Sequence, residues 1–399
     1  MNILLCVTGS ISAYKSYDLC RSLVKEGHHV KVLLSAGALE FINPNTFKYL
    51  GAEAFGPQDD FKHSGVLHVD LARWAQSFVI APLSANKLSD LVMGKASDLI
   101  SSVFLALDLN IPKLFFPAMN THMLNHPFVK DNFNKLKGLA HTKVFDTQSG
   151  KLVCGEEGEG KLENIEVIKD CIESLSFNSS SEHILISTGA TIAPVDPVRY
   201  LTNPSSGITG YHLAKEALKQ GHRVTVIAGQ MATHKLDFLN SLDSYQLIRV
   251  KTTNEMYEQV HQYFPHCTRY YSSAAISDFE FDTELEKLKK SSFSQALTYK
   301  KAPDVLRSVL KLKKNNQKVI GFAAETQLNE QILKEKYESK PVDLLVGTRV
   351  HSGIKNKELQ GFQNENGSYL FYSKNGIQFE GNLNKSELAK EILEIEKYD

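Results

Sequence analysis

The chain has no excess of charge of either sign: Lys and Arg total 45, as do Asp and Glu, in 399 residues. Binding to nucleic acid through counterion release needs a basic face, so this balance argues against that class. Small anions can still be held by local lysines and backbone amides. Cysteine is scarce, with Cys6, Cys20, Cys154, Cys171 and Cys267 as the full set. None forms a CxxC pair or a zinc spacing, and an odd, scattered set of this kind fits a reduced cytoplasmic compartment. No stretch approaches the ~20 apolar residues of a membrane span. The first residues lack a basic n-region and a cleavage site, so secretion is not expected either. A full GxGxxG and a Walker lysine are missing too, which sets aside NAD and P-loop nucleotides as first choices.

What is present is a twofold start. MNILLCVTGSISAYKS reads as strand, Gly/Ser turn and helix, and HILISTGATIAPVDPVRYLTNPSSGITG begins in a similar way at His183. The length suggests two or three domains. In the first half, apolar runs at Ile3–Val7, Val30–Leu34, Phe78–Ala81 and Lys113–Phe116 read as buried parallel strands. Helical patterns alternate with them at Ser12–Glu26, Ala38–Leu50 (with Pro44 breaking or restarting it), His68–Trp74, Lys87–Met93 and Asp98–Leu107. Phe145–Leu162, rich in glycine around Cys154, reads as a mobile flap. Helix Ile165–Leu175 and the polar linker 176–182 end the unit. The second half reads as strands His183–Ser187, Arg223–Ile227, Arg269–Ser272, Val319–Phe322 and Leu344–Val346. Helices are expected at Tyr211–Gln220, Glu255–Tyr263 and Lys385–Lys397, with a late hairpin around Ser373–Asn375. This is the pattern of two doubly wound α/β domains, 1–175 and 183–399, the second with a small β excursion.

The candidate site residues lie where such sheets bind ligands, at the carboxyl ends of strands. Gly9-Ser10 before a helix can hold a phosphate. Ser35, Ser84-Ala85-Asn86 and Pro117-Ala118-Met119-Asn120 leave room for a flat ring and supply amide and hydroxyl groups. His68 in LHVDL is a candidate general base and Cys154 a candidate reactive thiol. In the second half, Ser205-Ser206-Gly207 forms another anion cradle. Asp278, read as ending a strand, is a candidate for a divalent metal on a triphosphate, and Lys287 lies in a charged run.

Taken together, TGSISAYK, LHVDLARWA, APLSANKL, PAMN and CGEEGEGKL, followed by DPVRYLTNPSSG, AAISDF, EKLKK and GFAAET, resemble a known family over nearly the whole chain. The family is the bifunctional phosphopantothenoylcysteine decarboxylase/phosphopantothenate–cysteine ligases of coenzyme A biosynthesis. The resemblance implies a flavodoxin-like flavoprotein domain followed by a ligase domain. The ligase would activate 4′-phosphopantothenate with CTP and Mg2+ (or Mn2+) and pass the acyl group to cysteine. The decarboxylase would use FMN to oxidise the cysteinyl thiol transiently, release carbon dioxide and form 4′-phosphopantetheine. By match, His68 acts as base, Asn120 binds the substrate carboxylate and Cys154 supplies a proton. Gly9, Ser10, Ser35, Ser84, Ala85, Asn86, Ala118 and Met119 would hold FMN. Asn203 would position the acyl-cytidylate. Lys287, Lys336 and Lys340 would contact phosphates, with Asp278 near metal and nucleotide. Arg199, Ser205, Ser206, Gly207, Ala274 and Phe322 complete the substrate and nucleotide set. Homo-oligomers are implied as well: flavin-domain trimers, with FMN at a subunit interface, joined to ligase dimers in a dodecamer.

The chain departs from the family's common residues at several places. Lys87 stands where Thr is common, Ile192-Ala193 falls within a usual Thr-x-Glu, Ile208-Thr209 replaces Lys-Met, and Gly347-Thr348-Arg349 replaces Ala-Asn-Asp. From the residues alone, three rivals stay open. They are a flavoprotein decarboxylase with an impaired ligase half, a flavin oxidoreductase fused to a nucleotide-binding domain, and a non-catalytic flavin-binding regulator.

Overall fold

Continuous apolar runs in an α/β chain bury both faces of a strand, and the first such run does so fully: Ile3 to Val7 are all at 0% exposure. The computed structural model describes residues 1–57, 59, 65–151, 157–174, 182–239, 242, 244–282, 286–287, 298–350 and 366–395. The chain divides into two compact units, Met1–Phe177 and Asn178–Asp399.

The first unit runs β1 (Asn2–Val7), α1 (Ser16–Lys25), β2 (His29–Leu34), α2 (Ala36–Leu39), α3 (Pro44–Tyr49), β3 (Glu53–Phe55), α4 (Leu67–Trp74), β4 (Ser77–Leu83), α5 (Ala85–Val92), α6 (Leu99–Ala106), β5 (Lys113–Pro117), α7 (Thr121–Asn125), α8 (Pro127–Lys137), β6 (Thr142–Val144), β7 (Gln148–Lys151), β8 (Glu157–Lys161) and α9 (Ile165–Ser174). Its main sheet has the order β3-β2-β1-β4-β5-β6, every pairing parallel. That is the doubly wound Rossmann order, which refines the flavodoxin-like expectation, since flavodoxin has 2-1-3-4-5. The two short strands β3 and β6 set this order, and three residues are too few to show a period.

Some expected boundaries move for local reasons. The helix expected over Ser12–Glu26 opens as a 3-10 turn at Ile11–Lys15, because Ser10 caps it by accepting from the Ser12 amide at 3.3 Å. The helix expected over Ala38–Leu50 is two helices. Asn43 caps the second, and Pro44 takes the first-turn position where its missing N–H costs nothing. The expected flap is anchored at both ends: Phe145 stacks on Phe116 at 4.3 Å between ring centroids, and Leu162 is buried. Between those ends β7 and β8 pair as an antiparallel ribbon. Cys154 lies outside the described residues.

The second unit runs β9 (His183–Thr188), β10 (Ile192–Pro194), β11 (Tyr200–Thr202), α10 (Ile208–Lys219), β12 (Arg223–Gly229), α11 (Lys235–Phe238), β13 (Tyr245–Val250), α12 (Thr253–Tyr263), β14 (Arg269–Ser272), β15 (Phe279–Phe281), β16 (Tyr299–Lys301), α13 (Val305–Leu310), β17 (Lys318–Glu325), α14 (Glu330–Ser339), β18 (Leu344–Arg349), β19 (Asn366–Ser373), β20 (Gly376–Asn384) and α15 (Lys385–Ile395). The order is β13-β12-β9-β14-β17-β18-β19-β20. Strands β13 through β18 in that order are parallel, and β19 and β20 add an antiparallel hairpin, the expected β excursion. Counted along the chain, the parallel strands again run 3-2-1-4-5-6. Helix α10 starts three residues earlier than the sequence pattern suggests. Asp278 does not end a strand: it follows the loop after β14 and precedes β15. Glu182, read as linker, is ion-paired to Arg269 at 3.1 Å and directly precedes the central strand β9.

Helix α10 crosses β9 closely because Gly210 has no side chain. A Cβ there would stand 2.4 Å from the buried Thr188 side chain, whose hydroxyl donates to the Gly207 carbonyl. Gly210→Ala is therefore expected to destabilise the second unit by about 1–3 kcal/mol. A urea titration of the full chain would check this, and an unchanged transition midpoint would show that the helix shifts at no cost.

Candidate functional sites

In a doubly wound sheet the loops diverge where the strand order reverses, and the crevice between them is the natural ligand site. In the first unit this point lies between β1 and β4. A cleft of about 880 Å³ opens there. Every residue expected at the cofactor lines it: Gly9, Ser10, Ser35, Ser84, Ala85, Asn86, Ala118 and Met119, together with Asn120. The strands explain the convergence, since β2, β1, β4 and β5 are neighbours and their carboxyl ends share one edge. Several of the polar side chains are fixed by capping. Ser84 Oγ accepts from the Lys87 amide at 3.3 Å and Asn120 Oδ1 from the His122 amide at 2.8 Å. Gly160 closes the far wall: the Met119 amide donates to its carbonyl at 3.0 Å, and a Cβ at Gly160 would collide with the Met119 carbonyl.

His68 does not line this cleft. It sits half-buried on α4, the helix that precedes β4. Cys6, Cys20, Cys171 and Cys267 are buried, and burial pushes the Cys20 and Cys267 thiols up to about 12.

The second unit repeats the arrangement between β9 and β14, with a cleft of about 580 Å³. Asn203, Ser205, Gly207, Ala274, Asp278, Phe322, Lys336 and Lys340 line it, as expected. Asn203 Nδ2 donates to the Ala275 and Ile276 carbonyls at 3.3 and 3.4 Å, tying the loop after β11 to the loop after β14. Three expected residues lie elsewhere. Arg199 is turned onto the buried Asp196, its Nε donating at 2.9 Å. Ser206 accepts from the Thr233 amide through its carbonyl at 2.8 Å. Lys287 is exposed and does not line the cleft.

The first unit matches the family model described as Flavoprotein over residues 1–176. The second matches the DNA/pantothenate metabolism flavoprotein C-terminal domain over residues 179–397. The Coenzyme A biosynthesis bifunctional protein CoaBC of Bacillus subtilis (strain 168) is 36% identical over 358 residues, which are 88% of this chain and 86% of that one. The protein of the same name from Borreliella burgdorferi is 32% identical over 404 residues, 99% of this chain and 98% of that one. The chain belongs to this CoaBC family. It is a bifunctional enzyme of coenzyme A biosynthesis, a decarboxylase joined to a ligase. Among solved structures, a mutant PPC decarboxylase complexed with pantothenoylaminoethenethiol is 29% identical. It covers 43% of this chain and 95% of its own, with a TM-score of 0.41. Among the described residues no helix is long and apolar enough to cross a membrane.

One departure from the CoaBC pattern has a clear structural partner. Lys87, where Thr is common, is buried at the cleft wall, its ammonium 2.7 Å from Asp98 and 3.4 Å from Asp90 and donating to Ser101 Oγ at 3.2 Å. Burial alone would raise the Asp98 carboxyl. The hydrogen bonds from Lys87 and Ser101 outweigh it and hold the group below its ordinary value. The pair's stabilisation is thus complete above the unfolded carboxylate value of about 4 and is lost as pH falls through the lower folded value. Lys87→Met should cost about 3 kcal/mol at neutral pH by leaving the half-buried Asp98 carboxylate without its cation. The loss should shrink as pH falls, because without Lys87 burial raises the variant's Asp98 carboxyl and it takes up a proton in the folded variant, while the wild-type carboxyl stays ionised. Urea unfolding of both proteins between pH 7 and pH 4 checks this, and a pH-independent difference would contradict it.

Proposed function

We propose that the second unit couples 4′-phosphopantothenate to cysteine using CTP, and that the first unit decarboxylates the product with FMN to give 4′-phosphopantetheine. The observation that carries this reading is the pair of clefts at equivalent switch points, each lined by many, though not all, of the residues the family motifs name. The cytoplasm is the compartment that goes with this chemistry.

The first cleft suits a flavin nucleotide in size and donor set. Its volume falls in the usual range for ligands of this size. Small residues at Gly9, Ala85 and Ala118 would admit a ring system, and the Ser10, Ser35 and Ser84 hydroxyls with Asn86 would bind its polar groups. Bound FMN supplies reversible two-electron chemistry at the cysteinyl sulfur, which lets the carboxylate leave as carbon dioxide with no net redox change. Asn120, held by its cap to α7, would fix that carboxylate through its amide. Cys154 would deliver a proton as the product forms. His68 would act as base; because it lies away from its own chain's cleft, it would serve the flavin site of a neighbouring protomer in the trimer.

In the second cleft, the 4′-phosphopantothenate carboxylate would attack the α-phosphorus of CTP and expel pyrophosphate. The cysteine amine would then attack the acyl carbon and expel CMP. Asn203 would hold the acyl-cytidylate, and Asp278 would share the Mg2+ or Mn2+ that arrives with the triphosphate. Lys336 and Lys340 would contact phosphates. Each is now paired with a carboxylate, Glu325 at 2.5 Å and Asp304 at 2.8 Å, so nucleotide binding would exchange one anion for another. Lys287 and Arg199 would have to move in, or serve the dimer partner's cleft.

Incubation of the full chain with 4′-phosphopantothenate, cysteine, CTP and magnesium should release pyrophosphate and carbon dioxide in equal amounts. Pyrophosphate alone would leave only the ligase; neither product would favour a non-catalytic flavin binder. Cys154→Ser should stall with reduced flavin and an oxidised product, and normal turnover of that variant would remove Cys154 from the mechanism.

A further inference from the structure

Asn203 and Asp278 both line the second cleft and both are exposed. Asn203 directly follows β11 and Asp278 directly precedes β15, so neither is held by the main sheet. Each does follow a residue tied to Thr191, which is 0% exposed and lies just beyond the carboxyl end of β9. The Thr191 carbonyl accepts from Thr202 Oγ1 at 2.9 Å, one residue before Asn203. Its hydroxyl oxygen accepts from the Ser277 amide at 2.8 Å, one residue before Asp278. Its amide donates at 3.4 Å to the Ala275 carbonyl, which Asn203 Nδ2 also reaches.

The donors and acceptors here allow one arrangement. Thr253, the buried first residue of α12, has its hydroxyl 3.0 Å from that of Thr191 and 3.2 Å from the Ser277 carbonyl. A carbonyl only accepts, so Thr253 gives its one proton to Ser277, and Thr191 gives its own to Thr253. The bonds close a ring: the Ser277 N–H to Thr191, the Thr191 O–H to Thr253, and the Thr253 O–H to the Ser277 carbonyl. Each hydroxyl donates once and accepts once, and both main-chain polar groups of Ser277 are used. In a buried setting such bonds polarise one another and hold a single geometry. The Ser277 hydroxyl extends the hold past Asp278 by donating to the Phe279 carbonyl at 3.0 Å.

We infer that Thr191 is a positioning residue of the ligase: through Ser277 and Thr202 it fixes where Asp278 and Asn203 stand at the second cleft. Thr191 does not itself line that cleft. The inference rests on the ligase reading, which gives Asp278 to the metal and Asn203 to the acyl-cytidylate. Thr191→Val keeps the side-chain shape but removes two links of the ring. The buried Ser277 amide then lacks its acceptor, and the segment that carries Asp278 shifts to find another. The shift should weaken the response to magnesium as well as slow the reaction.

Pyrophosphate release by the full chain, measured against magnesium concentration and normalised to folded protein, tests this. Thr191→Val should lower kcat about tenfold and raise the magnesium concentration for half-maximal rate about fivefold or more. Thr191→Ser keeps the hydroxyl and should recover both to within about threefold of wild type. A merely structural role would reduce the folded fraction and leave the magnesium midpoint where it was. A midpoint within about twofold of wild type in folded Thr191→Val, whatever its stability, therefore overturns the inference. If Thr191→Val does not fold, Thr202→Val decides, because its hydroxyl is only half-buried and its loss cuts the tie on the Asn203 side alone. That variant should lose about fivefold in kcat, with Thr202→Ser restoring it, and an unchanged kcat would sink the idea. A wild type that releases no pyrophosphate overturns the ligase reading and the inference with it. An active wild type matched by Thr191→Val overturns the inference alone.

Discussion

A parallel sheet that winds first to one side and then to the other cannot close over its own starting point. Where the order reverses, between β1 and β4 and again between β9 and β14, the outgoing loops turn to opposite faces and leave a gap at the strand carboxyl ends. Both clefts of this chain occupy such gaps. The strands that bound them are buried on both faces, so the loop positions are fixed by close-packed cores rather than by the loops themselves. One topology used twice lets a single chain carry two unlike reactions, because the sheet sets where a ligand goes and the loops decide what it is.

The two clefts handle charge differently. The first contains Lys87, Asp90 and Asp98 in its wall, where Lys87 is paired with both carboxylates and Lys95 also reaches Asp90, so these charges are met within the protein before any ligand arrives. The second holds its lysines against exchangeable carboxylates at Glu325 and Asp304, and leaves Lys385 without one among the described residues. A cleft with exchangeable or unmet positive charge suits anionic substrates that enter and leave.

Much of this was legible in the residues. Small and polar side chains following apolar runs placed Gly9, Ser35, Ser84 and Ala118 at one sheet edge, and they do line one cleft. The same logic found Asn203, Ala274 and Phe322. For Asp278 it reached the right cleft from a wrong strand end: the strand stops at Ser272 and five residues of loop intervene before Asp278. It also missed the weak strands β3, β6, β10 and β11, each too short for alternation to register. Lys385 carried no signal: a lysine opening an amphipathic helix looks like any solvated residue, and Thr209, to whose hydroxyl its ammonium donates, is 176 positions away.

The sequence by itself determined the class of fold, the order of strand and loop, and the family, because these rest on local patterning and on motifs that stay contiguous in the chain. Tertiary structure decided which side chains are buried, which charges are already paired and which residues reach each cleft. His68 and Arg199 carry family motifs yet lie away from the clefts of their own units, while Lys87 and Lys385, outside the expected site, form part of their walls. Burial and pairing arise from contacts between residues far apart in the chain, and no local pattern encodes them.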